Sequence, residues 1–233
     1  KCLELAQGDL VLIFHQDDVA RRSAIQKMVE ALEKHPTAGF VFSNIQTVNS
    51  SGKVIGGHWN PRVLPQDDTL IDGKQLFRTI LNEGNFIPCQ TVMARRKCYE
   101  ELGKFDPRLR FTPDLEMWIR IVLKYDVCYV HAPIISLRRH EGQESGHYLG
   151  KRNEVIEVWR AFWITFHERK KQIPDVEILY DFALHHLIRW TKFLTIQCIR
   201  KVEFTEAIGL MSLMVKFVIV RRGGLDKMPG YPS

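Results

Sequence analysis

Apolar and polar positions alternate in two different ways along this chain. Up to about residue 146, short apolar runs bounded by Gly, Pro, Asn and Asp are interleaved with helical segments. Beyond that point apolar residues recur only at helical spacing. The run Asp9-Leu10-Val11-Leu12-Ile13-Phe14, preceded by Gly8, reads as a fully buried strand. Val19 to Lys34 reads as a helix with Ile25, Met28, Val29 and Leu32 on its apolar face, stopped at His35-Pro36. Phe40 to Phe42 is a short buried strand. Ile45 to Val48, the turn Asn49-Ser50-Ser51-Gly52 and Lys53-Val54-Ile55 read as a hairpin. Residues 56–71 read as loop, Gly73 to Leu81 as a helix, and Ile87 to Ala94 as a strand. Lys97 to Leu102 is a helical turn closed by Gly103, and Phe105 to Leu109 a loop. Leu115 to Lys124 is a helix with Leu115, Trp118, Ile119 and Val122 on one face. Val127 to Val130 and Ile134 to Arg138 are two strands. Helices are expected over Val155–His167, Val176–Arg200 and Phe204–Val220. The shift from mixed to all-helical pattern puts a domain boundary near Gly142 to Lys151, giving units 1–146 and 147–233.

Composition narrows the class. A chain of 233 residues buries a full core, and 45% hydrophobic with 26% charged residues is ordinary for a globular protein. The five cysteines, Cys2, Cys89, Cys98, Cys128 and Cys198, are scattered, odd in number and free of any CxxC pair. That argues against a disulfide framework or zinc site and favours a reducing compartment, so a cytoplasmic location is expected. No run reaches the about 18 apolar residues of a membrane span. Net charge is +6, but residues 1–150 hold 19 Lys+Arg against 18 Asp+Glu while residues 151–233 hold 14 against 9. A basic C-terminal third carrying Trp159, Phe162, Trp163, Phe166, Trp190 and Phe193 reads either as helical core with a solvated face or as a peripheral contact on the inner face of a membrane. The segment Cys2 to Gly8 resembles the last turns of a helix with a glycine cap, so the chain is expected to be a fragment with sequence missing upstream.

Three groups of residues carry candidate chemistry. Asp17 and Asp18 follow the first strand, at the edge where open α/β sheets bind ligands. Two hard oxygen ligands there suit magnesium or manganese holding a phosphate group. The plainer role for Asp18 is to cap the following helix. Asp114 sits in the first turn of the helix opened by Thr112-Pro113, either complementing the helix dipole or serving as a general base, whose ionised form the dipole favours. The segment Leu137 to Ser145, with His140 after Arg138 and Arg139 and following a strand, suits a diphosphate or a second metal position, or is a surface loop. His185 and His186 are adjacent and point to different helix faces, Arg95-Arg96-Lys97 reads as a solvated strand end rather than a nucleic-acid patch, and Gly56-Gly57 lacks phosphate-loop spacing.

Taken in order, these pieces resemble the family 2 glycosyltransferases of the GT-A fold. Leu3 to Asp9 is similar to that family's helix-plus-glycine lead-in, and His15-Gln16-Asp17-Asp18 to its acidic motif. Gly103-Lys104-Phe105-Asp106 resembles its Gly-Gly-Phe-Asp, Asp114 with Glu116-Met117-Trp118-Ile119-Arg120 its acidic helix, and Arg139-His140 its late Arg-x-His. The likeness covers roughly residues 1–146. It implies an α/β fold: a GT-A-like (Rossmann-like) mixed sheet flanked by helices, with a C-terminal all-α extension. It implies a divalent metal on Asp17, supported by Asp18, and Asp114 as the base that deprotonates an acceptor hydroxyl. His15, Arg139 and His140 would face the donor diphosphate or ribose, and Glu116 and Trp118 the acceptor. The implied reaction is inverting transfer from a nucleotide-diphosphate sugar to a glycan or lipid-linked acceptor, in polysaccharide, lipid-linked or cell-surface glycan synthesis. His15 stands where the family has the first Asp of DxD, and Pro113 where it has Glu. The family's first βα units, roughly 80 residues that hold the nucleobase, have no counterpart here. The alternatives are a catalytically degenerate or truncated fold acting as a membrane-associated scaffold, and a metal-dependent phosphoryl-handling domain. The latter needs a phosphate-binding Lys, Ser or Thr after a later strand, and none is evident.

Overall fold

A computed structural model describes residues 2–56, 63–140, 143 and 147–225. The expected loop at 57–62 and, in the stretch after His140, residues 141–142 and 144–146 lie outside the described residues. The chain divides into two compact units: residues 1–79, 85–105 and 117–143, and residues 80–84, 106–116 and 144–233.

The first unit is built on a seven-stranded mixed sheet. Its strands are β1 (Leu10–Leu12), β2 (Val19–Ala20), β3 (Ala38–Val48), β4 (Val54–Gly56), β5 (Thr69–Ile71), β6 (Met93–Arg95) and β7 (Asp126–Arg138). The order is β1-β6-β3-β7-β2, with β4 paired to β3 and β5 to β7. The two long strands, β3 and β7, run parallel at the centre, and every other pairing is antiparallel.

These long strands are where the sequence reading departs most from the structure. Ser43 and Asn44 interrupt the apolar run and suggested two strands, yet β3 is continuous. A bulge between Ser43 and Ile45 absorbs the polar pair: Ser43 Oγ donates to the Asn44 carbonyl, and Asn44 Oδ1 accepts from the Ile45 amide. The same register shift lets β7 run through His131-Ala132-Pro133. The partner of Ser43 is Val130 and that of Ile45 is Ile135, so Pro133 falls where no ladder amide is required.

Helix α2 (Ala24–Lys34) covers one face of the sheet, burying Ala24, Met28 and Leu32 against Val41, Ile45, Cys128, Val130 and Ile135. Fully burying side chains such as Met28 and Leu32 stabilises by roughly 2 kcal/mol each. The expected start at Val19 is wrong. Val19 and Ala20 pair with Ser136 and Ile135 of β7, so the helix opens at Ala24 and Ile25 points outward, 49% exposed. On the other face, the Trp118 ring lies 5.3 Å from Phe40, and Tyr129 lies 5.1 Å from Phe42. Strand β1 is half-buried rather than fully buried, because it ends the strand order and pairs with β6 alone among the described residues. The expected strand Ile87–Ala94 opens instead with a 3-10 turn, Cys89–Thr91, in which the Thr91 amide and hydroxyl both donate to the Pro88 carbonyl. Helices α1 (Cys2–Leu5), α3 (Gly73–Glu83) and α4 (Arg96–Leu102) complete the framework, and α5 (Pro113–Val122) is buried throughout from Leu115 onward. Gly73 has no room for a side chain: a Cβ there would stand 2.4 Å from the Val122 carbonyl oxygen and 2.2 Å from that of Tyr125.

The second unit holds α6 (Arg152–Glu168), α7 (Val176–Arg200) and α8 (Phe204–Gly223). Trp159, Phe162, Trp163 and Phe166 are core residues, not membrane anchors. The Trp159 ring meets Phe217 edge-on at 4.9 Å, and Phe166 meets Tyr180 at 5.2 Å. Phe193 alone of the aromatic set is strongly exposed, at 56%.

Candidate active site

In the first unit, the segment joining β1 to β2 meets the end of β7, and Arg138 ties them together. Its amide donates to Asp18 Oδ1 at 2.9 Å, and its Nε donates to the Asp17 carbonyl at 2.9 Å. Its Nη1 donates to the carbonyls of Asn49 (3.2 Å) and Ser50 (2.7 Å) in the β3–β4 turn. That turn is set by Asn49, whose Oδ1 accepts from the Lys53 amide, and by Gly52 in the left-handed region at φ 86°. One guanidinium fork therefore braces the hairpin and the acidic pair at once.

The two aspartates have different environments. Asp17 Oδ2 lies 3.0 Å from His140 Nε2 and accepts from Gln143 Nε2 at 3.3 Å. Desolvation opposes its ionisation, but the hydrogen bonds to His140 and Gln143 outweigh it and hold the carboxyl below the usual range. Asp18 has no side-chain exposure, and its Oδ2 lacks a hydrogen-bond partner among the described residues. Burial pushes its carboxyl upward, the neighbouring charge of Asp17 adds to that, and the Arg138 amide, His15 and Arg139 pull the other way. His15 Nδ1 stands 3.7 Å from Asp18 Oδ2. Asp18 does not cap α2, whose N-cap position is Ser23; its hydrogen bond goes to β7 instead.

His15, Asp17, Asp18, Arg139 and His140 are thus brought together, with the Arg139 amide anchored on the Val48 carbonyl. Arg138 and Gln143 belong to the same cluster; both lie in the segment singled out from sequence, but only Arg139 and His140 were expected to act there. No local pattern tells that Arg138 would brace the acidic pair or that Gln143 would reach Asp17, since both contacts span more than a hundred residues. A buried carboxylate oxygen with no hydrogen-bond partner among the described residues, beside a second ionised carboxylate, is a donor set that suits a hard divalent cation. Among the described residues no group of three or more His, Cys, Asp or Glu side chains is arranged to hold a metal.

Asp114 and Glu116 lie in the second unit. Asp114 is half-buried in the first turn of α5, with Oδ1 accepting from the Leu115 amide at 2.8 Å. The loop before it is held by Glu157 of α6. Glu157 Oε2 accepts from the amides of Arg110 and Phe111, each at 2.9 Å, Oε1 takes Arg160 at 2.7 Å, and the Thr112 hydroxyl donates to the Glu157 carbonyl. Glu157 was also missed, though an acid among Val155, Val158 and Phe162 on an inward helix face is a readable signal. Glu116 is fully buried with Oε1 3.3 Å from Arg169, and Trp118 is 1% exposed among Phe40 and Phe105. The expectation that these two face an acceptor is corrected: neither side chain reaches solvent, because α5 is a core helix.

Residues 1–103 match the family model for glycosyl transferase family 2. This part of the chain is similar to a family 2 glycosyltransferase domain. The match spans β1, the Asp17–Asp18 pair, β3 and β6. The mixed sheet flanked by helices, with helices alone after it, agrees with a GT-A-like fold. An uncharacterized protein from Mycobacterium tuberculosis (strain CDC 1551 / Oshkosh) is 26% identical over 171 residues, covering 70% of this chain and 53% of its own length. The chain therefore spans about half the length of that curated relative. No helix among the described residues is long and apolar enough to cross a membrane.

Proposed function

We propose that the protein is an inverting glycosyltransferase that moves a sugar from a nucleotide-diphosphate donor to a hydroxyl of a glycan or lipid-linked acceptor. The observation that carries this reading is the junction of the family-matched Asp17 and Asp18 with His140 beyond β7, braced by Arg138. Asp17 and Asp18 are the residues that would hold magnesium or manganese. A cation there offsets the negative charge that grows on the departing diphosphate. His15, Arg139 and His140 meet the diphosphate or the ribose, with Arg139 offering the planar fork that suits phosphate oxygens. Asp114 accepts the proton of the acceptor hydroxyl as its oxygen bonds to the anomeric carbon and the bond from that carbon to the diphosphate breaks. A single displacement of this kind inverts the anomeric configuration. Glu157, through its grip on Arg110 and Phe111, sets the loop that leads into Asp114.

The test is release of nucleoside diphosphate by the complete protein, screened over nucleotide sugars with manganese, magnesium or chelator. Metal-dependent release with one donor, reduced at least about tenfold by Asp17→Asn, is expected. No release together with no calorimetric nucleotide binding would overturn the reading.

A further inference from the structure

Helices α7 and α8 of the second unit carry apolar side chains toward solvent as well as inward. In α8, Ala207, Leu210, Leu213 and Phe217 are buried. On the opposite side Phe204, Ile208, Met211, Val215 and Ile219 are between 40% and 64% exposed. Their steps of four, three, four and four residues put them on one stripe. In α7, Phe182, Phe193, Ile196 and Ile199 are exposed on a stripe of the same kind. At the turn between the helices Val202 is 67% exposed and sits at φ 64°, a left-handed conformation that β-branched residues rarely adopt. Apolar surface on this scale, on helices already buried along their other side, marks a surface that meets something other than water.

The charges on the same helices identify the chemistry of the partner. Arg189, Lys192, Arg200, Lys201, Lys216, Arg221 and Arg222 are exposed on these helices and their turn, against the exposed acids Glu177 and Glu203 and the Asp181 side chain, which is paired with Arg221. Ile188 and Val218 line a groove together with Asp181, Arg221 and Arg222, and Arg221 Nε is held by Asp181 at 2.6 Å. An apolar stripe fringed by an excess of Lys and Arg over acids is the composition of helices that lie in the plane of a negatively charged bilayer.

We propose that α7 and α8 dock on an anionic lipid surface. Their exposed Ile, Phe, Met and Val side chains enter the boundary between headgroups and acyl chains, with Val202 and Phe204 leading at the turn, while the Arg and Lys side chains meet lipid phosphates. The docking stands apart from the transferase reading, since it uses neither Asp17 nor Asp114.

The experiment is flotation of the full chain with phosphatidylcholine vesicles, with and without phosphatidylglycerol, at low and raised salt. The protein is expected to float with the anionic vesicles, several-fold less with neutral vesicles or at raised salt. Ile208→Asn combined with Val215→Asn should lower partitioning at least about tenfold, since each replaces a side chain that would be buried in lipid. Lys216→Gln combined with Arg222→Gln, which removes charge and leaves the apolar stripe intact, should lower binding to anionic vesicles alone. Failure to float with either vesicle, or flotation unchanged by both double variants, would overturn the proposal. So would a stable dimer in sedimentation velocity that Ile208→Asn and Val215→Asn dissolve, because the stripe would then belong to a second copy. Nucleoside-diphosphate release measured on the same samples separates the two readings: loss of flotation with release retained rejects only the lipid surface, and flotation without release rejects only the transferase.

Discussion

His140 Nε2 lies 3.0 Å from Asp17 Oδ2 across 123 residues of sequence. The contact joins the segment after β1 to the segment after β7, and it orients the Asp17 carboxylate, while Arg138 holds the Asp18 carboxylate through its amide and the Asp17 backbone carbonyl through its side chain. Partners that orient a metal-binding carboxylate typically contribute tenfold or more to affinity. His140→Ala is therefore expected to weaken manganese binding by roughly tenfold to a hundredfold in titration calorimetry. Unchanged affinity would show that His140 acts on something other than Asp17.

Arg138 donates to three backbone carbonyls through its side chain, those of Asp17, Asn49 and Ser50. An ammonium cannot span the same fork. Arg138→Ala is expected to cost about 2 kcal/mol in denaturant unfolding, since hydrogen bonds from a charged donor contribute at that level. Arg138→Lys should recover less than half of it.

Glu157 is 3% exposed and satisfies two backbone amides and Arg160. Removing the carboxylate takes the shared acceptor from these part-buried donors. Glu157→Ala should destabilise by about 3 kcal/mol, and Glu157→Gln, which keeps one acceptor oxygen, by clearly less. Thermal unfolding of both variants checks this, and equal melting temperatures for the two would contradict it.

Asp114→Asn should lower turnover at least about tenfold with little change in donor binding, as expected for loss of a general base. Single-turnover kinetics on the active protein distinguishes this from a binding defect. A smaller loss would remove Asp114 from the role of base.

His186 is buried in the second unit, with its ring against Gly84 and stacked on Trp190 at 5.7 Å. Burial, aided by nearby Arg189 and His185, lowers its pKa from 6.5 to about 4. The unfolded chain therefore takes up this proton first as pH falls. The stability due to neutral His186 is complete above pH 6.5 and is lost between pH 6.5 and 4, a change on the order of 3 kcal/mol. His186→Leu should flatten the melting temperature over that window. An unaltered pH profile would refute the assignment.

Much of this protein is legible in local pattern, because helix periodicity is written within a few turns. The spans of α3, α4, α5, α7 and α8 follow from apolar spacing and from punctuation such as Pro113 and Gly103. The acidic pair, the Arg139-His140 segment and the family likeness are local as well, since each rests on adjacent residues. Strand pairing is different, because it depends on residues far apart. Nothing near Ser43 and Asn44 announces that β3 continues, since the bulge that tolerates them exists only against β7. Val19 and Ala20 read as helix until β7 offers them a ladder. Asp18 reads as a helix cap until the amide of Arg138, 120 residues away, claims its carboxylate. Glu116 and Trp118 stand in a motif that points to substrate, and packing turns both inward. On α8 the pattern is apolar on every side, so spacing alone cannot say which stripe is core. Only the placement of α6 and α7 decides that Leu210 and Phe217 are buried and that Ile208 and Val215 meet solvent.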